Sequence, residues 1–130
     1  MVAYQLHHIH IKSPDPRKTA QWYVENFGAR IASERTVNGA LFIGIDLSGV
    51  LVNISAPAPG QKLPKGSADM HLGLEHFGLV SPDLEKDLAR LKAKGVEILQ
   101  PLTEGAGGAK IAFIKAPDDV RIELLQLPSS

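Results

Sequence analysis

The residues able to hold a metal or move a proton fall into a repeated pattern. His8 stands in His8-Ile9-His10-Ile11, and His76 opens a second such segment, His76-Phe77-Gly78-Leu79. Asn53 stands in Val50-Leu51-Val52-Asn53-Ile54, and at nearly the same interval Glu123 stands in Val120-Arg121-Ile122-Glu123-Leu124. Two imidazoles and a carboxylate with open positions suit Fe(II), Mn(II), Zn(II), Ni(II) or Co(II). Such a cation leaves room for substrate oxygens and acts as a Lewis acid on an enediolate or catecholate, or as an oxygen-binding iron. Taken singly, each residue also fits an ordinary strand: Glu123 alternates with Ile122 and Leu124 and would serve equally well facing water. Their equivalence in two copies of one pattern singles them out. The chain has no cysteine, which removes disulfide scaffolds, thiolate catalysis, iron–sulfur clusters and Cys-ligated zinc together.

The elements that must position these residues repeat as well. Ser13-Pro14-Asp15 recurs as Ser81-Pro82-Asp83 at the same interval that separates His8 from His76, and each triplet opens a helical pattern. Ala20, Tyr23, Val24 and Phe27 mark the first helix; Leu84, Leu88 and Leu91 mark the second. The serine of each triplet reads as the N-cap, with proline in the first turn. Gly28 and Gly95 read as the left-handed stops. Beyond them, Ala29–Ala32 matches Val96–Leu99, Gly39–Ile43 matches Gly108–Ala112, and Val50–Ile54 matches Val120–Leu124. Each half therefore reads strand–helix–strand–strand–strand, with repeats over 5–56 and 70–127 and a Pro/Gly-rich linker over 57–69 that is a connector or a flap. A half of this size buries little core alone, so the two are expected to pack as one domain over 1–130. Symmetric packing would bring His8, His76, Glu123 and Asn53 to the pseudo-twofold axis.

Composition narrows the partners. The 130 residues carry 14 Lys+Arg against 14 Asp+Glu, a formal net charge of zero, which supplies no bulk attraction for nucleic acid or an acidic bilayer. No stretch approaches the roughly 18–20 apolar residues of a membrane helix, and Met1–His10 lacks a signal-peptide layout. A cytoplasmic domain with a small-molecule substrate is expected. His10, two positions after His8, shares its face of the strand and reads as a proton carrier or pocket liner; His7 and Glu75 read as facing away. Gly105–Gly108 precedes a strand and lacks the Lys-Ser/Thr of a phosphate loop, so it reads as a turn. Lys86, Arg90, Lys92 and Lys94, interleaved with Asp83, Glu85 and Asp87, read as a solvated helix face. Trp22 lies off the apolar stripe of the first helix, although packing on the sheet remains its first reading.

From about Leu6 to about Gln126 the chain resembles the vicinal oxygen chelate superfamily of glyoxalase I, methylmalonyl-CoA epimerase, fosfomycin-resistance proteins and extradiol dioxygenases. The resemblance rests on Leu6–Ile11, Trp22-Tyr23, Phe27-Gly28, His76–Leu79, Leu84–Gly95 and Ala116–Leu124. It implies an α+β fold of two tandem βαβββ modules forming a U-shaped mixed sheet, one divalent metal on His8, His76 and Glu123, and a homodimer. Glyoxalase I and the epimerase carry Glu or Gln as a fourth ligand where this chain has Asn53, whose amide oxygen can ligate but cannot act as a base. The ending also departs from the commoner Asp-Pro-Asp-Gly-Asn form, with Ala116 for the first Asp and Asp119-Val120 for Gly-Asn.

Three functions follow as expectations. The first is a metal-dependent lyase or isomerase that chelates vicinal oxygens and stabilises an enediolate-like or catecholate anion, with Glu123 or His10 moving the proton. The second is an Fe(II) extradiol-type dioxygenase, although the extra catalytic His and Tyr of those enzymes find no match here. The third is a non-catalytic drug-binding or resistance protein, which the retained His/His/Glu set disfavours.

Overall fold

The computed structural model describes residues 3–129. They divide into two compact units, with the boundary between Pro64 and Lys65, inside the Pro/Gly-rich segment. No helix among the described residues is long and apolar enough to cross a membrane.

The first unit runs β1 (His8–Lys12), α1 (Pro16–Phe27), β2 (Arg30–Val37), β3 (Ala40–Leu47) and β4 (Val50–Ser55). Its sheet has the order β1-β4-β3-β2. β1 and β4 are parallel, and the other neighbours are antiparallel. Two hairpins make the antiparallel turns, at Asn38-Gly39 (φ 50° and 79°) and Ser48-Gly49 (φ 53° and 86°). Paired positive φ values match the strand twist, and Asn and Gly tolerate them best. Alternation puts Ile11, Ile43, Ile45, Val52 and Ile54 in the core on the face that α1 covers with Ala20 and Tyr23. The opposite face carries His8, His10, Asn53 and Ser55, because His10 is in register with Asn53 and Asn53 with Gly44.

The second unit repeats the plan with β5 (Phe77–Val80), α2 (Leu84–Ala93), β6 (Ile98–Glu104), β7 (Lys110–Ala116) and β8 (Val120–Gln126). The sheet order is β5-β8-β7-β6, with β5 and β8 parallel. Leu84 and Leu91 of α2 are fully buried, as are Ala112, Ile114 and Ile122 of the sheet. The opposite face carries Glu123, in register with Gly78 on one side and Phe113 on the other. Both units are thus βαβββ modules, the α+β architecture anticipated from the repeat. β4 and β8 start where the matched segments do, at Val50 and Val120, but other strands start later. Gly39 and Gly108 are positive-φ turn residues before β3 and β7, and His76 lies just ahead of β5 rather than within it.

The helix starts correct another expectation. Asp15 and Asp83, not the serines, are the N-caps, and each carboxylate accepts from an amide three positions on, Lys18 and Lys86, at 3.2 Å. The serines instead turn inward. Ser13 Oγ bonds Thr19 Oγ1 at 2.7 Å and Ser81 Oγ donates to Asp87 Oδ2 at 2.5 Å, while their backbone N–H groups extend the parallel ladders to Ser55 and Leu125. A side chain committed to that contact is not free to cap the first turn. Asp83→Ala is accordingly expected to cost about 1 kcal/mol in urea denaturation, and Asp83→Asn much less, since Asn caps nearly as well. An Asp83→Ala protein as stable as its parent would remove this role.

α1 stops at Gly28 in the left-handed conformation (φ 68°), its N–H reaching back to Val24 O, and Gly95 (φ 83°) follows the C-cap Lys94 of α2. The Gly-rich run forms a 3-10 turn, Ala106–Gly108, between β6 and β7, as a turn and not a phosphate loop would. The charged face of α2 is spread over surface pairs such as Arg90–Asp87 at 3.6 Å.

Candidate functional site

In the second unit a connected polar group surrounds His76. Its Nε2 lies 3.4 Å from Glu123 Oε1, and its Nδ1 lies 2.6 Å from Glu75 Oε1. Arg121 Nε stands 3.5 Å from the same Glu75 oxygen, and Arg121 Nη1 donates to Ala68 O at 3.0 Å. The Phe113 ring packs edge-on to His76 with centroids 5.0 Å apart, and the Arg121 guanidinium sits 4.3 Å from its centroid. Glu75 therefore does not face away from His76. Strict alternation applies to paired strand residues, and both residues precede β5, where the chain is free to curl.

The local sequence explains why Glu123 is accessible. Its register partner Gly78 has no side chain, and a Cβ there would lie 3.8 Å from Glu123 Oε2. The first unit inverts the arrangement. Asn53 is flanked by the His10 side chain on β1 and by Gly44 on β3, whereas Glu123 is flanked by glycine on β5 and by Phe113 on β7. A Cβ on Gly44 would approach Ser33 Oγ to 2.6 Å and Asn53 Oδ1 to 3.6 Å. The two equivalent positions thus differ in both chemistry and surroundings, with Asn53 buried and Glu123 half-buried.

His8 and His10 lie on one face of β1 with ring centroids 6.2 Å apart. His7 does not turn away as a plain structural residue would: its Nδ1 is 2.8 Å from Nδ1 of His8. His10 Nε2 bonds Ser55 Oγ at 2.7 Å, and its ring meets Phe42 edge-on at 5.0 Å. These neighbours take water from one side of the ring, which lowers the His10 pKa, and the charges of Lys12 and His8 act in the same sense. Folding thus disfavours the protonated form, so the unfolded chain binds more protons there. The His10 contribution is neutral well above pH 6.5 and becomes destabilising as pH falls through and below that ordinary value. A proton-resonance titration of the folded protein should give His10 a midpoint below 6.5, and a midpoint at or above it would contradict the geometry.

Among the described residues no three His, Cys, Asp or Glu side chains gather into a group that could hold a metal by itself. What the second unit does bring together is one imidazole nitrogen and one carboxylate oxygen. Two ligands about 2.0–2.2 Å from a tetrahedral centre stand about 3.3–3.6 Å apart, so the 3.4 Å between His76 and Glu123 fits a shared cation. Ser55, Arg121 and Phe113 complete these arrangements without being singled out in the sequence, and Glu75 joins them although alternation has it facing away. The repeat could have flagged Glu75, which occupies the same position in its half as His7.

Comparison with known proteins places this geometry in context. The sequence profile described as Glyoxalase/Bleomycin resistance protein/Dioxygenase superfamily matches residues 5–124. The lactoylglutathione lyase GLX1 of Arabidopsis thaliana is 28% identical over 126 residues, covering 92% of this chain and 43% of that protein. The chain thus spans less than half the length of that relative. YwkD of Bacillus subtilis is 28% identical over 130 residues, covering 97% of this chain and 99% of its own. The crystal structure of a glyoxalase family protein from Enterococcus faecalis superposes with a TM-score of 0.77 at 25% identity, covering 96% of this chain and 99% of that one.

Proposed function

The chain belongs to the Glyoxalase/Bleomycin resistance protein/Dioxygenase superfamily, and from that premise we propose that it is a divalent-metal-dependent enzyme of the lyase or isomerase type. Its substrate is a small molecule with two neighbouring oxygens. The observation that carries this reading is the facing pair His76 Nε2 and Glu123 Oε1, 3.4 Å apart beside a glycine that leaves them open. The proposed ligand set is His8, His76 and Glu123, with the Asn53 amide oxygen as a further candidate ligand, and the metal is Fe, Mn, Zn, Ni or Co.

A divalent cation bound there supplies Lewis acidity to two adjacent substrate oxygens. The chain supplies the rest. Glu123 Oε2, beside the bare backbone of Gly78, takes and returns the proton beside the substrate carbonyl. His10, whose surroundings disfavour the protonated ring and which is tied at Nε2 to Ser55, has Nδ1 to pass a proton onward. Asn53 can orient an oxygen but cannot act as a general base. Phe42 and Phe113 wall the histidine rings with apolar surface, which strengthens charge interactions beside them.

The activity named for the Arabidopsis relative supports beginning with lactoylglutathione and other 2-hydroxyacyl thioesters. Protein loaded in turn with each candidate metal is incubated with them in deuterated water. Metal-dependent exchange of the hydrogen next to the carbonyl, or loss of the thioester, is expected. No exchange with any metal, across thioesters and 2-hydroxy ketones, would overturn the lyase or isomerase reading. Metal-dependent oxygen uptake on catechols would move the assignment to ring cleavage.

A further inference from the structure

We propose that Glu75, braced by Arg121, is the positioning residue that presents Nε2 of His76 as a bare lone pair before any metal arrives. The inference rests on the metal reading above. Its starting point is that the residue ahead of each candidate histidine contacts Nδ1 of that ring in both units: His7 at 2.8 Å from His8, and Glu75 at 2.6 Å from His76. The two positions are repeat-equivalent, as are the histidines they serve. Each contact engages the near nitrogen and leaves Nε2 as the outward atom.

The contact in the second unit is the more directive of the two. A carboxylate only accepts, so Nδ1 of His76 must carry the proton and donate it. In the neutral ring the other nitrogen then has none, and Glu123 Oε1 lies 3.4 Å from it. Two acceptors 3.4 Å apart are mutually unfavourable, a conflict that a bound cation would relieve. Glu75 also fixes the orientation of the ring, as carboxylates beside metal-bound histidines do. Arg121 keeps Glu75 in place. Its side chain is only 10% exposed, pairs with Glu75 at 3.5 Å, and is anchored by Ala68 O and the Phe113 ring. His7, exposed and without a formal charge when neutral, exerts no comparable hold on His8.

The test reads the ring and the metal separately. In metal-free protein, at a pH where the ring is neutral, long-range nitrogen–proton correlation spectra should show His76 protonated at Nδ1. In Glu75→Ala the population should move toward the Nε2–H form, and Zn(II) affinity, measured by chelator competition, should fall about 10–100-fold. Glu75→Gln, whose amide oxygen still accepts, should keep the Nδ1–H form and lose less affinity. A parent protein with the proton on Nε2, or a Glu75→Ala protein binding Zn(II) as tightly as the parent, would overturn the positioning role. Failure of the parent to bind Zn(II) at all would overturn the metal reading, an outcome distinguishable because the tautomer is read without metal.

Discussion

Glu123→Ala is expected to lower Zn(II) affinity by more than about 100-fold, beyond the roughly 10–100-fold typical of losing a partner that only orients a ligand. Glu123 is the one anion in the proposed set of His8, His76 and Glu123, so its removal takes away both a bond and the charge that offsets a dication. The substitution should leave the fold intact. Glu123 faces away from the core residues Ile122 and Leu124, is half-buried, and borders glycine on β5, with Phe113 beside it on β7. His8→Ala should show a loss of the same kind. Metal content is measured on protein purified without chelators and then by equilibrium dialysis. Undiminished binding in both variants would sink the ligand assignment, whatever the activity proves to be.

Leu91→Ala is expected to destabilise the protein by about 2–5 kcal/mol, the range for truncating a buried leucine whose cavity cannot fully collapse. Leu91 is fully buried on α2, and its carbonyl also accepts from the N–H groups of Lys94 and Val96, which close the helix. Relaxation into the void would therefore have to move the helix end. Leu72, which is 99% exposed, provides the contrast, since Leu72→Ala should change stability by no more than about 0.5 kcal/mol. Urea denaturation of the two variants beside the parent measures both. A Leu91→Ala cost below about 1 kcal/mol would mean that the α2 contact is not part of the cooperative core.

Much of the fold was legible because repetition amplifies weak local signals. One Ser-Pro-Asp or one His-x-x-hydrophobic segment is common, but two copies of each, offset by one shared interval, mark one module used twice. The module order and the helix stops at Gly28 and Gly95 follow from periodicity and from the few residues that tolerate special backbone angles. Which residue of each triplet caps its helix did not follow. Serine and aspartate both suit the position, and the choice turned on Ser13 finding Thr19 and Ser81 finding Asp87, each more than a helical turn further along the chain.

The same division holds at the site. Sequence alone determined that His8 and His76, and Asn53 and Glu123, are matched pairs, and that His10 shares the His8 face, because strand alternation is a local rule. Only the tertiary structure decided that Glu75 and His7 turn toward their neighbouring rings, that Nε2 rather than Nδ1 of His76 meets Glu123, and that Gly78 leaves that carboxylate open. Those outcomes depend on side-chain torsions outside regular strands and on strand register. Both are set by packing among residues distant in the chain, and no local periodicity encodes them.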